Sequence, residues 1–203
     1  MSAERKPIRA HLTLIKLLIV IALLGGAGFL LVRGMQQAEE RAQPQQLTAA
    51  MDIHDALSIK ALLQTNPQLH SVKDYRGFTP LIWAAHFGHK DLAELLLAKS
   101  ADVNAKDNNG GTPLYWASGL GHQDISKLLL ANGADVHSKN KVGWTPLHGA
   151  TYQEHKELAE LLVVYGADVN AQDKDGKTPL HYAKEKGNQP LIEMLRAHGA
   201  KDE

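Results

Sequence analysis

Eleven histidines and no cysteine bound the chemistry open to this chain of 203 residues. Without cysteine there is no thiol nucleophile, disulfide, zinc finger or lipid-bearing thiol. Histidine is left as the side chain best suited to metal binding or to proton transfer at neutral pH. His89, His122 and His155 recur at intervals of 33 residues. That spacing puts them at equivalent points of successive structural units, whose helices pack about 8–10 Å apart. Zinc needs its nitrogens about 2 Å from one point, so such a column does not share an ion. His86 and His89 are three apart but bracket a helix end. Glu154, Glu157 and Glu160 stand at i, i+3, i+6 on an amphipathic segment and read as a solvated face. Gly110-Gly111-Thr112 is too short to cradle a phosphate, and no Lys follows it. There is no Ser/His/Asp signature. The expectation is a protein with no catalytic residue, no metal ligand, no cofactor and no small-molecule substrate.

The elements that carry these residues are written several times. Thr-Pro-Leu begins at Thr79, Thr112, Thr145 and Thr178, 33 residues apart each time. A polar turn precedes each copy, opening on Asp74, Asp107, Asn140 and Asp173. An apolar run follows, ending at Leu95-Leu96-Leu97, Leu128-Leu129-Leu130, Leu161-Leu162-Val163 and Met194-Leu195. A fixed period of this length signals stacked units, none of which buries its apolar face alone. Each Thr suits the N-cap of a short helix, and each Pro its first position, where the missing N–H costs nothing. Leu81, Ala84 and Ala85 make the inner stripe of that helix. Gly88, Gly121 and Gly187 end it, and Glu154 holds that place in the third copy. Leu92, Leu95 and Leu96, at i, i+3, i+4, face a second helix inward. Gly133, Gly166 and Gly199 close the second helices, but Ser100 stands at the first such site, so that end is expected to be less well satisfied.

The last copy reads Thr178-Pro179-Leu180-His181-Tyr182-Ala183, and the third keeps His148 and Ala150, whereas Ile82 and Tyr115 replace the His in the first two. With this box and period, residues 45–203 resemble an ankyrin repeat protein. The resemblance implies an all-α fold, an ankyrin-repeat solenoid of helix-turn-helix repeats with β-hairpin-like tips. Its full repeats are 74–106, 107–139, 140–172 and 173–203. Residues 47–73 lack the box, but Leu62-Leu63 lie one period before Leu95-Leu96, which suits an amino-terminal capping repeat. Lys184, Glu185, Lys186, Glu193 and Arg196 give the last repeat the polar character of the other cap. The resemblance also makes His148 and His181 structural, bonding locally and tying neighbouring turns.

The amino-terminal part differs. Leu17 to Val32 is an unbroken apolar run, and counting from Leu12 with Lys16 tolerated it reaches the length of a bilayer-spanning helix, about 20 residues. Arg5, Lys6, Arg9 and Lys16 precede it, while Arg33 and Arg41 follow beside Glu39 and Glu40. The positive-inside rule then sets residues 1–11 as a cytoplasmic basic tail, 12–33 as a transmembrane helix, 34–46 as a polar linker, and the repeats on the far side, which in a bacterium is the periplasm. Gly26-Ala27-Gly28 also offers a cleavage site, after which the repeats would be periplasmic or secreted. From residue 45 onward sixteen Lys/Arg face nineteen Asp/Glu, a formal −3, which argues against nucleic acid as partner.

In the resembled family, partners bind at the hairpin tips and on the exposed side of the first helix. Carried over by position, these residues are Tyr75, Arg76, Phe78, His86, Phe87, Asn108, Asn109, Leu120, Lys141, Val142, Trp144, Tyr152 and Gln153. Phe78, Phe87, Trp144 and Tyr152 are aromatic where other copies are not, and interface hot spots are rich in rings. On that basis, replacing Phe78 and Trp144 by Ala is expected to abolish partner capture and leave thermal stability nearly unchanged. Trp83 and Trp116 are expected instead to pack between repeats. The expected function is a non-enzymatic, membrane-tethered protein–protein interaction module binding another protein through its concave face. The alternatives are a secreted effector binding a host protein and a histidine-dependent metalloenzyme.

Overall fold

A computed structural model describes residues 42–202 together with Arg33. The expected transmembrane segment 12–33 and the basic tail lie outside the described residues, apart from Arg33. Among the described residues no helix is long and apolar enough to cross a membrane. The backbone divides into a unit that ends at Gln46 and a second that begins at Leu47. Residues 42–52 are helical (α1), so a helix is already under way inside the stretch assigned to the linker.

Paired helices follow. The capping repeat continues with α2 (Ala56–Thr65) and a 3-10 turn, Pro67–Ser71. Then come α3 (Pro80–Phe87) and α4 (Lys90–Ala98), α5 (Pro113–Gly119) and α6 (Gln123–Ala131), α7 (Pro146–Tyr152) and α8 (Lys156–Val164), and α9 (Pro179–Lys186) with α10 (Gln189–Ala197). Among the described residues there is no β-strand.

One local code builds every first helix. Thr79, Thr112, Thr145 and Thr178 accept hydrogen bonds from the third helical N–H at 3.2–3.4 Å, with Pro next in line. Each such cap is worth about 1 kcal/mol. A left-handed residue then reverses the chain: Gly88, Gly121, Glu154 and Gly187 have φ of 77°, 77°, 63° and 69°. The glycines at the first two sites are also demanded by packing. A Cβ at Gly88 would meet the His122 ring at 2.8 Å, and one at Gly121 the His155 ring at 2.8 Å. In the third repeat the side chains change together, since Asn188 replaces the His and donates to Glu154 at 2.9 Å. The recurrent histidines are therefore packing pieces of the stack.

The second helices end at Ser100, Gly133, Gly166 and Gly199, all left-handed. The end at Ser100 is not under-satisfied: Ser100 N–H donates to Leu97 O and Ala101 N–H to Leu96 O, both at 3.0 Å, as at Gly133 and Ala134. Ser100 adopts the conformation that glycine takes more cheaply, and the carbonyls keep their partners. Leu81, Leu114, Leu147 and Leu180 from the first helices join Leu96, Leu129, Leu162 and Leu195 from the second in one continuous core, each at most 1% exposed. Trp83 is fully buried and its indole N–H reaches back to Met51 O at 2.9 Å, fastening the first full repeat to the capping one.

Candidate protein-binding surface

The tips are four copies of one hydrogen-bonded turn. Oδ1 of Asp74, Asp107, Asn140 and Asp173 accepts the backbone N–H groups two and four residues on, at 2.7–3.0 Å. Gly77, Gly110, Gly143 and Gly176 follow with positive φ. One backbone bond joins each tip to the next: Asn108 N–H to Arg76 O, Lys141 N–H to Asn109 O, and Lys174 N–H to Val142 O, at 2.8–3.1 Å. The side chains at the two central turn positions therefore ride on a rigid ladder.

The remaining carboxylate oxygens steer particular neighbours. Asp74 holds the Arg76 guanidinium at 2.7 Å, and Asp107 accepts the Trp116 indole N–H at 2.7 Å. Asp173 accepts both the Tyr182 hydroxyl at 2.6 Å and the Trp144 indole N–H at 3.1 Å. Burial works against the charge on Asp173, but the bonds from Tyr182, from the Lys177 and Asp175 N–H groups and from Trp144 outweigh it and hold its pKa below the ordinary value. Burial and that same carboxylate push the Tyr182 phenol up to about 12.

The expected binding residues divide into two groups. Tyr75, Asn108, Asn109, Lys141, Val142, Leu120 and Gln153 are exposed, with Tyr75 at 78% and Val142 at 56%. The aromatic group is largely spent within the stack. Phe78 is 5% exposed and belongs to the core, so its assignment to the binding surface is corrected. Its ring packs on Trp116 of the next repeat at 5.4 Å and on His86 at 5.6 Å, under the Arg76 guanidinium at 4.5 Å. Trp144, half-buried, packs on Tyr182 of the next repeat at 5.0 Å and on Tyr152 at 5.2 Å. Phe87 and His86 are half-buried, with Phe87 against His54 at 4.4 Å and Trp83 at 4.8 Å. Burial, then the charge of Arg76, lowers the His86 pKa. Trp116 bridges two repeats, in line with its expected packing role.

One relation between positions was missed. The residue that closes a tip packs on the first-helix residue 38 places later: Phe78 on Trp116, Trp144 on Tyr182, and Gly111 answered by Gly149. Ring meets ring at two seams, and glycine stands at both matching positions of the seam between them. At the small seam α5 and α7 come close enough that a Cβ on Gly149 would lie 3.4 Å from Gly119 Cα.

His148 does the structural work the resemblance implied. It is fully buried. Its Nδ1 accepts the Thr145 N–H at 3.2 Å, so Nε2 carries the proton and donates to Lys177 O of the next turn at 3.2 Å. Burial lowers its pKa, keeping the ring neutral. Among the described residues no group of three or more His, Asp or Glu is placed to hold a metal ion. A shallow groove of about 300 Å³ runs beside Val136, His137, Asp168 and Asn170, between the loops of the second and third full repeats.

These features are those of ankyrin repeats, and a family model for ankyrin repeats, described as three copies, matches residues 46–140 and 127–202. The chain belongs to the ankyrin repeat family. Members of this family serve generally as non-enzymatic protein–protein interaction modules.

Proposed function

We propose that this chain is a membrane-tethered adaptor that binds another protein along its hairpin tips and the adjoining concave side of its first helices. The observation that carries the reading is the contrast within each tip. The Asp or Asn, the Gly and the Thr that build the turn recur, while the turn positions between them hold Tyr75 and Arg76, Asn108 and Asn109, Lys141 and Val142, and Lys174 and Asp175, all exposed but the half-buried Arg76. A fixed frame with freely varied outward side chains suits recognition, and it asks no chemistry of the chain. With Phe78 assigned to the core, Tyr75 and Val142 become the apolar anchors of the surface. The apolar run before residue 34 supports anchoring, and its basic flank supports repeats on the far side of a bacterial inner membrane.

The test places a photo-crosslinking residue at Tyr75 or at Glu160, which is exposed on α8. A discrete adduct from the Tyr75 site and none from the Glu160 site is expected; adducts from Glu160 alone would refute the surface assignment. A periplasm-active reporter fused after residue 45 should give signal, and activity confined to the cytoplasm would reverse the topology.

A further inference from the structure

We propose that the tip edge receives an extended acidic polypeptide segment whose carboxylates recur about every third residue. The proposal rests on the protein-binding reading above and specifies its partner. Net charge hides the feature. From residue 45 onward the chain carries a formal −3, yet the four tips (73–78, 106–111, 139–144 and 172–177) hold seven Lys/Arg against four Asp, a formal +3. The rest of the repeats therefore carries −6. Moreover, three of those four acids, Asp74, Asp107 and Asp173, are buried and turned inward to hold the turns. Only Asp175 opposes the cations from the exposed surface.

The cations are ordered as well as concentrated. Lys73, Lys106 and Lys139 repeat with the period of the stack. Lys73 donates to Lys106 O at 2.8 Å and Lys139 to Gln172 O at 2.7 Å, each bond reaching one repeat forward. Such a bond fixes an ammonium in place and leaves it further N–H donors for a ligand. Lys141 and Lys174 extend from the exposed turn positions. Among the described residues no carboxylate pairs with Lys106, Lys141 or Lys174, whereas Lys90 lies near Glu94 and Asp124, and Lys184 and Arg196 near Asp202. Among the described residues every tip cation except Arg76, which Asp74 holds, is thus without a carboxylate partner, on the edge that also exposes Tyr75 and Val142.

The spacing sets the pattern of the partner. One backbone bond joins each tip to the next, and the helices of successive repeats pack about 8–10 Å apart, so tips recur about every 10 Å. An extended chain advances about 3.3 Å per residue, so about every third side chain meets a new tip. A polypeptide is favoured over nucleic acid because the −6 carried by the rest of the repeats repels a long polyanion while leaving a short acidic segment free to dock.

The experiment uses the full chain in neutral detergent and fluorescent peptides of about twelve residues, long enough to span the four tips. One peptide carries Glu at every third position, a second carries Gln there, and a third has the same Glu gathered at one end. The first should bind, weaken about ten-fold or more with Lys141→Glu and Lys174→Glu together, and weaken as added salt shortens the screening length. Equal binding of the Gln or the gathered peptide overturns the inference, as does indifference to the charge reversal. So does tighter binding of single-stranded DNA or of phosphatidylserine vesicles than of the patterned peptide. Failure of all three peptides also overturns it, and the crosslinking at Tyr75 then decides separately whether the tips bind protein at all.

Discussion

Replacing His137 by Asn should stabilise the repeats, and the reason lies in a tie made at two seams and missing at a third. Asn104 donates to Gly133 O at 3.2 Å and accepts the Asp135 N–H at 2.8 Å. Asn170 does the same one seam away from the end, to Gly199 O at 3.1 Å and from Lys201 N–H at 2.9 Å. The period puts His137 between them, and among the described residues no side chain ties Gly166 O or the Asp168 N–H. His137→Asn supplies both bonds. Each contributes about 0.5–1.5 kcal/mol net, and fixing an exposed Asn costs part of that, leaving about 1 kcal/mol. For a domain of this size that is about 2–4 °C in Tm. Thermal unfolding followed by circular dichroism reads the whole, and hydrogen exchange at the Asp168 amide reads the site. Asn104→His is the mirror experiment and should lose a similar amount. An unchanged Tm with no added protection at Asp168, together with a harmless Asn104→His, would refute the reasoning.

Two further outcomes follow from burial. Phe78→Ala should cost about 3–5 kcal/mol, as removal of a buried ring does, so the Phe78/Trp144 double variant melts early and cannot serve as a clean binding mutant; denaturant titration at neutral pH checks this, and a loss below about 1 kcal/mol would return Phe78 to the surface. His148 is held neutral in the folded chain with its pKa lowered, so the unfolded chain takes up the proton first as pH falls. Its contribution is complete above the unfolded pKa of about 6.5 and is lost progressively below it. His148→Ile, the residue at the equivalent site of the first repeat, removes the titration. The stability advantage of the native chain over that variant should therefore shrink between about pH 7.5 and 5, and a constant difference would be the contrary result.

The repeat frame was legible because its signals are local. Thr-Pro before an apolar stripe, Asp followed three places on by Gly, and Gly after the last Leu each specify a few neighbouring dihedrals, and the period multiplies them. The rings were not, because their burial is decided across seams. Phe78, Gly111, Trp144 and Lys177 occupy one position, and their variety looked like freedom to meet a partner. In fact Phe78 and Trp144 answer Trp116 and Tyr182, and a Cβ on Gly111 would lie 2.7 Å from the Trp116 indole nitrogen. The clue was a second offset of 38 residues superposed on the period of 33. The tip lysines were likewise hidden, since a near-balanced total says nothing of where the charges stand.

The seam between the second and third full repeats differs twice from its neighbours. Gly111 and Gly149 take the place of the ring pairs there, and the loop tie is missing at His137. Backbone meets backbone there, with Gly119 against Gly149 and the Tyr115 ring beside them, so close approach does at this joint what the ring pairs do at the others. The bond from Lys141 N–H to Asn109 O crosses the same joint, so a ligand laid along the tips meets one unbroken edge even where the stack changes its packing.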